Sequence, residues 1–396
     1  MKILMIHCFY QLKAGEETVV EEEVALLEKI GIEVELLKFH NKGRVLAKYL
    51  QLPFNFSSYL AVKKKIKQFR PDVVHVHNLH FSGSPSVIYA VKNSKVPLVC
   101  TLHNYRLLCP SNTLFYNGQP FLDSLQRTFP LQAVKKGVYR NSKLLTFWMG
   151  VSMQIHHWFG TWKTPDRFIV LSNHAKDMFS QSKMKFREGQ LIVKPNFCAS
   201  PRQEDCERSD TFVYVGRLSK DKGVALLLQV FSSSSYRIVL AGDGPLKDEV
   251  IASSKKYSNI TYAGILSKVE IVELLSSSSA LIFPSIWYEG MPLTIIEALA
   301  CGTPVIASKL GVMEHMISHG HDGLLFEANN PNCLAQAIDW WNRLSTSEKE
   351  RYRRNARSAY EKSYTPEKNA EQLISIYQSV RQEQLSVTSF SAEITV

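Results

Sequence analysis

Short apolar runs alternate along the chain with longer stretches whose apolar residues recur at helical spacing. Runs of about four to eight apolar residues are typical of buried strands. Strands that alternate with helices in this way favour parallel sheets with crossover helices, and therefore an α/β fold. The pattern predicts strands at residues 3–8, 33–37, 73–77, 98–102, 168–171, 212–215, 238–240, 281–283, 305–307 and 324–326.

A polar stretch at residues 200–210, with a proline and mixed charges, separates two groups of strands and is predicted to be a linker or exposed loop. A chain of 396 residues with 45% apolar content is long enough for two domains with separate cores. We therefore expect two doubly wound, Rossmann-like domains facing a cleft, at residues 1–195 and 196–364. A last helix is predicted over residues 365–385, and residues 386–396, which lack a helical period, are predicted to form a mobile tail.

Two carboxylates lie in a stretch with clear helix signals. Pro292 suits the first position of a helix, so we predict a helix over residues 292–301, with Glu289 in the preceding loop and Glu297 inside the helix. Eight helical positions span roughly 12 Å, whereas the carboxyl pair of a glycosidase lies about 5 to 10 Å apart. The two acids could therefore hold opposite ends of a long ligand such as a nucleotide sugar. The alternative is a buried helix with two incidental surface acids.

Two cations follow directly on the predicted strand 212–215. Arg217 and Lys222 stand at its carboxyl end, where open parallel sheets bind ligands. Fixed cations at this place would neutralise a departing diphosphate, although solvated loop charges are the alternative. A glycine-rich turn, A-G-D-G-P-L at residues 241–246, follows the next strand and by itself indicates only a tight turn.

The order of these motifs resembles one family. G-R-L-x-x-x-K-G, then G-D-G-P, then E-x7-E leading into A-C-G-T-P-V-I-A-S, between residues 211 and 326, resemble the retaining glycosyltransferases of family 4, also called group 1. The first half is similar more loosely, through K-I-L-M-I-H-C-F-Y, D-V-V-H-V-H-N, T-L-H-N-Y and K-P-N. The resemblance implies the GT-B fold, in which two Rossmann-like domains face a cleft and a C-terminal helix returns to the N-terminal domain.

The resemblance also implies roles for individual residues. Arg217 and Lys222 would hold the donor diphosphate and stabilise its leaving charge, and His103 would lie near the anomeric centre. The remaining donor-binding positions would be Glu297 for the ribose hydroxyls, Glu289 with the backbone of Gly290, Met291 and Leu293 for the transferred sugar, Ile265 for the nucleobase, and Gly15 for the phosphates.

One departure from the family lies in the first turn. The family usually has a Gly-Gly pair there, whereas this chain reads A-G-E-E from Ala14, so that either Ala14 or Glu16 stands in place of one glycine of the pair. Glu16 would bring a negative charge near the donor phosphates.

The resemblance implies an enzyme of the hexosyltransferase type that moves a sugar from a nucleotide-sugar donor to a hydroxyl acceptor with retention of configuration. The acceptor expected is a lipid-linked or polysaccharide-precursor glycan. Since the nucleotide sugar is a substrate, no cofactor is expected. The alternatives are a GT-B nucleotide-sugar epimerase and a catalytically silent sugar-binding or lipid-binding module. A nicotinamide enzyme is disfavoured, because no G-x-G-x-x-G motif opens the first helix.

A metal site is not expected. His75 and His77 share a face of their predicted strand, but no acidic or cysteine partner follows at ligand spacing, and His80 lies beyond the strand end. The resemblance agrees, because family members neutralise charge with Arg and Lys where other enzymes use Mg²⁺. The seven cysteines are odd in number and form no C-x-x-C pair, which favours a reducing cytoplasm. The apolar start is interpreted as the first strand and not as a signal peptide.

The net charge is +11, and part of the excess is clustered at residues 63–70 and 135–143. A basic face is compatible with nucleic acid, anionic lipid or solubility alone. The segment 144–162 places aromatic residues such as Trp148 and Trp158 beside these lysines, which suits a helix lying at a membrane interface. The alternative is a core helix of the first domain. We expect no nucleic-acid partner and, as a hypothesis, peripheral contact with an anionic membrane inner face.

Overall fold

The computed structural model describes residues 1–10, 15–41, 49–201 and 207–393, with side chains described up to residue 386. These residues form two compact units. The first comprises the described residues within Met1–Leu114, Phe121–Asn196 and Glu367–Val396, and the second comprises those within Phe115–Pro120 and Phe197–Pro366.

The strands, in chain order, are β1 (Lys2–Phe9), β2 (Glu33–His40), β3 (Val73–Asn78), β4 (Leu98–Leu102), β5 (Phe115–Tyr116), β6 (Gln119–Pro120), β7 (Arg167–Val170), β8 (Leu191–Val193), β9 (Phe212–Val215), β10 (Ile238–Ala241), β11 (Ile260–Gly264), β12 (Leu281–Phe283), β13 (Val305–Ser308) and β14 (Gly323–Phe326). Every strand predicted from the apolar pattern is present. The pattern missed β8 and β11, as well as the short hairpin β5–β6. The three residues of β8 are too few to show a period, and β11 mixes apolar with polar residues.

The helices are α1 (Gly15–Lys29), α2 (Phe56–Phe69), α3 (Ser86–Lys92), α4 (Leu131–Lys136), α5 (Lys143–Trp158), α6 (Asn173–Ser180), α7 (Val224–Phe231), α8 (Lys247–Lys256), α9 (Lys268–Ser277), α10 (Leu293–Ala300), α11 (Met313–Met316), α12 (Pro331–Arg343), α13 (Thr346–Ser363) and α14 (Pro366–Glu393), with a 3₁₀ turn at Thr161–Lys163. The helix predicted over residues 292–301 is α10. Pro292 caps it in an extended conformation instead of occupying its first position.

The first unit is built on a parallel sheet of six strands in the order β2-β1-β3-β4-β7-β8. Strand β1 is an interior strand and apolar on both faces, so that Ile3 lies opposite Val34 on one side and Val73 on the other. Strands buried on both faces read as continuous apolar runs, which is why this sheet was visible in the sequence.

The second unit contains another parallel sheet of six strands, in the order β11-β10-β9-β12-β13-β14. Its core joins strand residues such as Phe212 and Ile306 to Trp341 of α12. The Trp341 indole is fully buried and donates a hydrogen bond to Ser279 Oγ at 2.9 Å. Arg208 anchors part of the predicted polar loop by donating to Thr303 Oγ1 at 2.6 Å, whereas residues 202–206 of that loop lie outside the described residues.

The C-terminal helix α14 packs on the sheet of the first unit, as the resemblance implied. Its buried residues, including Leu373 and Tyr377, contact Ile3 and Val73 in one apolar cluster. The helix continues to Glu393, well beyond the predicted end at residue 385, so most of the stretch expected to be a mobile tail is helical. Residues 394–396 lie outside the described residues.

Within the part of the chain that the structure describes, no helix combines the length and apolar character that crossing a membrane requires.

One buried hydrogen bond ties α14 to the sheet. Tyr377 Oη lies 2.7 Å from Nδ1 of His75, and both side chains are fully buried. Tyr377→Phe leaves that nitrogen without a partner, and we expect it to lower the free energy of unfolding by about 1 to 3 kcal/mol. Tyr59→Phe is the control, because it removes an exposed hydrogen bond from Asn93. Equal unfolding free energies for the two variants in urea titrations would contradict this account.

Candidate functional site

The loops at the carboxyl ends of β9, β10 and β12 are held together by close backbone packing. Gly242 has φ +140°, and a Cβ atom there would lie 1.9 Å from the carbonyl oxygen of Gly216. A Cβ atom on Gly223, at φ +74°, would lie 2.0 Å from the carbonyl oxygen of Pro284. Only glycine fits at either place, so the G-D-G-P and K-G motifs are required by contact between loops.

Arg217 lies in the turn that follows β9 and is exposed. The turn is held from below by Tyr214, whose hydroxyl donates to the Arg217 carbonyl oxygen at 2.7 Å. Burial raises the pKa of Tyr214, so this hydroxyl remains a donor. The guanidinium of Arg217 is therefore carried on a fixed backbone at the sheet edge.

Lys222 and Glu289 form an ion pair at the same edge. Lys222 Nζ lies 2.6 Å from Glu289 Oε1, and the same oxygen accepts a hydrogen bond from Ser285 Oγ at 2.7 Å. The Glu289 side chain is 7% exposed and that of Lys222 is 20% exposed. The ammonium also lies 4.8 Å from the centre of the Trp287 ring.

The sequence analysis assigned Lys222 and Glu289 to different parts of a donor, and their direct pairing was not foreseen. It also missed Ser285 and Trp287. The available signal was position, because both residues follow the end of β12 and precede Glu289 in one loop. Trp287 Nε1 is buried and has no hydrogen-bond partner among the described residues.

The other donor-binding candidates of this unit lie in two neighbouring segments. Gly290 and Met291 continue the Glu289 loop, Leu293 opens α10, and Glu297 is half-buried within it. The N-cap residue of α10, Pro292, forms no side-chain hydrogen bond to the first N–H groups of the helix. Ile265 follows the end of β11 and is 72% exposed.

In the first unit, His103 ends a chain of buried polar groups. His103 Nε2 lies 3.0 Å from His77 Nδ1, and His77 Nε2 lies 3.4 Å from Glu23 Oε2. The other carboxylate oxygen of Glu23 pairs with Lys194 of the K-P-N motif. This arrangement connects the ends of β3, β4 and β8 with helix α1.

The electrostatics of this chain keep the histidines neutral. Burial lowers the pKa of His103 to about 3, and burial together with His103 lowers the pKa of His77 well below its usual value. Burial alone would raise the pKa of Glu23, but the adjacent Lys194 brings that pKa below its ordinary value. At neutral pH, His103 is therefore an uncharged hydrogen-bonding group.

A group of three residues that could ligate a metal ion lies beside His103. Atoms of Glu23, His75 and His77 come within 4.8 Å of one another, so α1 supplies the acidic partner that the local sequence lacked. The sequence has no acid at ligand spacing after these histidines, and the nearby acid in the structure comes from a distant helix. Both His75 nitrogens are already hydrogen-bonded, to Tyr377 and to Thr101, and Lys194 occupies one oxygen of Glu23. His75 and one oxygen of Glu23 are thus engaged, whereas His77 Nε2 and Glu23 Oε2 have no hydrogen-bond partner among the described residues. The absence of a metal stays a prediction.

The atypical first turn differs electrostatically from what its sequence suggested. Gly15 opens α1, and Glu16 Oε1 lies 4.0 Å from His7 Nδ1, while Ala14 lies outside the described residues. Burial, reinforced by the neighbouring Glu17, raises the pKa of Glu16 to about 8. The carboxyl is therefore mostly protonated at pH 7, and the negative charge anticipated near the phosphates is largely absent.

An apolar cavity of about 130 Å³ lies beside His103 in the first unit. Its walls come from the sheet edge and from the inner face of α5, and polar groups of His103 and Arg106 line part of it. The main apolar contributors are Leu52, Ile88, Met149, Met153 and Trp162. A cavity of this size accommodates an apolar group of about six carbon atoms.

Two family models match the chain, one in each unit. The model described as Glycosyltransferase Family 4 matches residues 14–197, and the model described as Glycosyl transferases group 1 matches residues 200–359. The chain belongs to glycosyltransferase family 4.

Individual relatives agree with this membership. An uncharacterized glycosyltransferase of Methanocaldococcus jannaschii is 25% identical over 351 residues, which cover 85% of this chain and 87% of that protein. A putative teichuronic acid biosynthesis glycosyltransferase of Bacillus subtilis is 24% identical over 384 residues, covering 85% of this chain and 88% of its own length. The structure of Anabaena HepE in complex with UDP is similar with a TM-score of 0.65 and 16% identity, covering 96% of this chain and 100% of that one. The chain has the GT-B fold.

The loop packing of this glycosyltransferase is tested by adding one methyl group. Gly242→Ala places a carbon against the Gly216 carbonyl, and we expect a loss of about 3 kcal/mol or more in unfolding free energy. The control is Gly320→Ala, which also has positive φ but open space around it, and should cost roughly 1 to 2 kcal/mol. Similar losses in both variants, measured by urea unfolding, would show that the loops are not in close contact.

The protonated state of Glu16 is tested through the pH dependence of stability. The unfolded carboxyl ionises near pH 4.5 and the folded one near pH 8, so this group lowers the stability of the fold as pH rises between those values. We expect Glu16→Gln to be stabilised relative to the wild type by an amount that grows with pH, by at most about 1.4 kcal/mol per unit. Glu28→Gln, on the exposed side of the same helix, is the control. Parallel stability curves for the wild type and Glu16→Gln would refute the assignment.

Proposed function

We propose that this glycosyltransferase moves a sugar from a nucleotide-sugar donor to a hydroxyl group of a lipid-linked or polysaccharide-precursor glycan, with retention of configuration. The observation that carries the proposal is the Lys222–Glu289 pair at the carboxyl edge of the second sheet, with Arg217 on the adjacent turn. A UDP donor is supported by the HepE complex, and an acceptor in polysaccharide synthesis by the relationship to the teichuronic acid protein.

The pair suits a ligand with both phosphate and hydroxyl groups. Phosphate oxygens compete with Glu289 for the ammonium of Lys222, and the exposed guanidinium of Arg217 adds a second cation. Glu289, released in part from Lys222 and still held by Ser285, then accepts hydrogen bonds from sugar hydroxyls. The N–H groups at the start of α10 offer further donors to an anionic group.

The chemistry follows from where charge develops. The bond between the anomeric carbon and the diphosphate oxygen breaks, and negative charge grows on the phosphate, where preorganised cations stabilise it. The acceptor oxygen forms its bond on the same face, and its proton passes to the departing phosphate. Glu289 is engaged by Lys222 and Ser285, so we assign it to hydrogen bonding and not to nucleophilic attack. His103, which is neutral, serves the transferred sugar as a hydrogen-bonding group.

The acceptor and the cellular location are also part of the proposal. The apolar cavity beside His103 supports an acceptor with an apolar portion, as a lipid-linked glycan has. The free cysteines among the described residues are compatible with a reducing cytoplasm. We propose a cytoplasmic enzyme that works at the membrane inner face without a metal or other cofactor and without a nucleic-acid partner.

Mutation of the cations tests the proposal. Arg217→Ala and Lys222→Ala should each lower the transfer rate roughly 100-fold or more, the scale seen when one transition-state donor is removed. Lys220→Ala is the control, because it removes an exposed lysine from the same loop. Lys222→Ala leaves Glu289 unpaired and is therefore compared only after its melting temperature has been measured. Near-normal rates in the Arg217 and Lys222 variants would refute their roles.

A thermal-shift panel of UDP, GDP, ADP and their sugars identifies the donor for that assay. We expect one nucleotide and its sugars to raise the melting temperature, as ligands that bind only the folded state do. Conversion of the donor without any acceptor would indicate an epimerase. Binding without turnover over a broad range of acceptors would indicate a silent binding module.

A further inference from the structure

Exposed apolar side chains are concentrated on one part of the first unit. Among the described residues, nine of the fifteen large apolar side chains that are exposed lie within residues 49–60 and 131–159. Large apolar side chains scattered singly over a surface need no explanation, whereas a contiguous group marks an interaction site. The nine are Leu50, Phe54, Phe56, Leu60, Leu131, Leu144, Phe147, Trp158 and Phe159. They are called the apolar surface below.

The segments 49–60 and 131–159 form one surface because hydrogen bonds join them. The indole of Trp148 in α5 donates to the carbonyl oxygen of Tyr49 at 2.6 Å. Further along the same helix, His156 Nε2 lies 2.8 Å from the carbonyl oxygen of Pro53. These contacts hold the segment before α2 against α5 along about two turns of that helix.

Helix α5 has apolar residues on its outer face as well as buried residues on its inner face. Leu144, Phe147, Val151, Ile155 and Trp158 recur at three- and four-residue spacing, which places them on one stripe. Leu144 is 76% exposed and Trp158 is 74% exposed. The opposite side, including Thr146 and Met149, is buried in the first unit. A surface helix that packs on a core normally presents polar residues outward, so this outer stripe calls for a partner.

Charge identifies the partner. Residues 49–71 and 121–165 contain eleven lysines and arginines and a single acid, Asp123, so these segments carry a charge of +10 out of +11 for the whole chain. Lys143 directly precedes Leu144, and Lys63 lies 5.9 Å from the Tyr59 ring beside Phe56. Lys65 is the exception, since it pairs with Glu35.

An anionic bilayer satisfies both features of the surface. Its acyl region accepts the apolar side chains, and its headgroups accept the surrounding cations. Nucleic acid would satisfy the cations and stack bases on the exposed aromatic rings, but the exposed aliphatic side chains, such as Leu50, Leu60 and Leu144, would stay in water. A protein partner would have to present a face that is both acidic and apolar over the same area. An anionic bilayer has both properties without any such special design.

We propose that the apolar surface is a membrane-docking face that lies in the interface of an anionic bilayer, with the outer stripe of α5 parallel to the membrane plane. The residues concerned are separate from Lys222, Glu289 and His103. The inference rests on the proposed location at the membrane inner face and names the surface that makes the contact, whereas the transfer reaction can fail or succeed independently of it.

Vesicle flotation of the full chain tests this proposal. The wild-type protein should float with phosphatidylcholine vesicles that contain phosphatidylglycerol, and should stay at the bottom with phosphatidylcholine alone. Raising the salt should weaken flotation, because the cations are exposed. The triple variant Leu144→Gln, Phe147→Gln, Trp158→Gln should lose binding by roughly tenfold or more, since it removes the apolar contacts and leaves every cation in place.

A matched control separates docking from general loss of apolar surface. Leu385→Gln, Val269→Gln and Trp340→Gln alter three side chains that are also exposed but lie elsewhere, and this variant should float like the wild type. Both triple variants should keep the wild-type melting temperature and its shift with the donor nucleotide, which shows that the fold and the donor site are intact.

Three outcomes would overturn the proposal. The wild type could remain at the bottom with anionic vesicles, or the α5 triple variant could float as well as the wild type. Alternatively, the wild type could bind polyuridylic acid in a way that the α5 triple variant cannot, which would make the surface a nucleic-acid site. A failure of donor binding with normal flotation would count against the transfer function only.

Discussion

A charge that leaves water must be paired, and both units arrange the ends of their strands around one such pair. In the second unit, Lys222 meets Glu289 across two loops that are packed backbone against backbone at Gly223 and Pro284. In the first unit, Lys194 meets Glu23 beneath the histidines. Removing either partner of such a pair leaves a buried charge without compensation, which costs several kcal/mol. The loops at each edge are therefore held in one arrangement.

The two edges differ in the charge that they present. The edge of the second unit has a net cationic character, with Arg217 exposed and Lys222 partly exposed, as a site for a leaving diphosphate requires. The edge of the first unit is close to neutral, because burial lowers the pKa of His103 to about 3 and raises that of Glu16 to about 8. This division fits the proposed transfer, in which one charged group must be stabilised and one sugar must be oriented.

Helix α5 connects the proposed acceptor with the proposed membrane contact. Its inner face, through Met149 and Met153, lines the apolar cavity beside His103, while its outer stripe runs from Leu144 to Trp158. The sequence analysis left a core helix and an interfacial helix as alternatives. In the structure the helix has features of both. Its buried side carries mostly small and polar residues together with Met149, whereas its outer stripe carries large apolar residues. The basic apolar surface of the first unit is consistent with an acceptor that has an apolar portion.

Local sequence determined the strands and helices of this protein. Tertiary structure decided which of its charged groups are paired and which are protonated. Strands buried on both faces are continuous apolar runs, so β1, β9 and β12 were predictable. The motifs around Arg217 and Glu289 were visible for the same reason, since spacing along one loop is a local property. The return of α14 to the first unit was expected only from the family resemblance. The partnership of Glu23 with His75, the pairing of Lys222 with Glu289 and the protonation of Glu16 were not visible. Each depends on which distant side chains exclude water from a group, and burial and pairing are set only when the chain has folded.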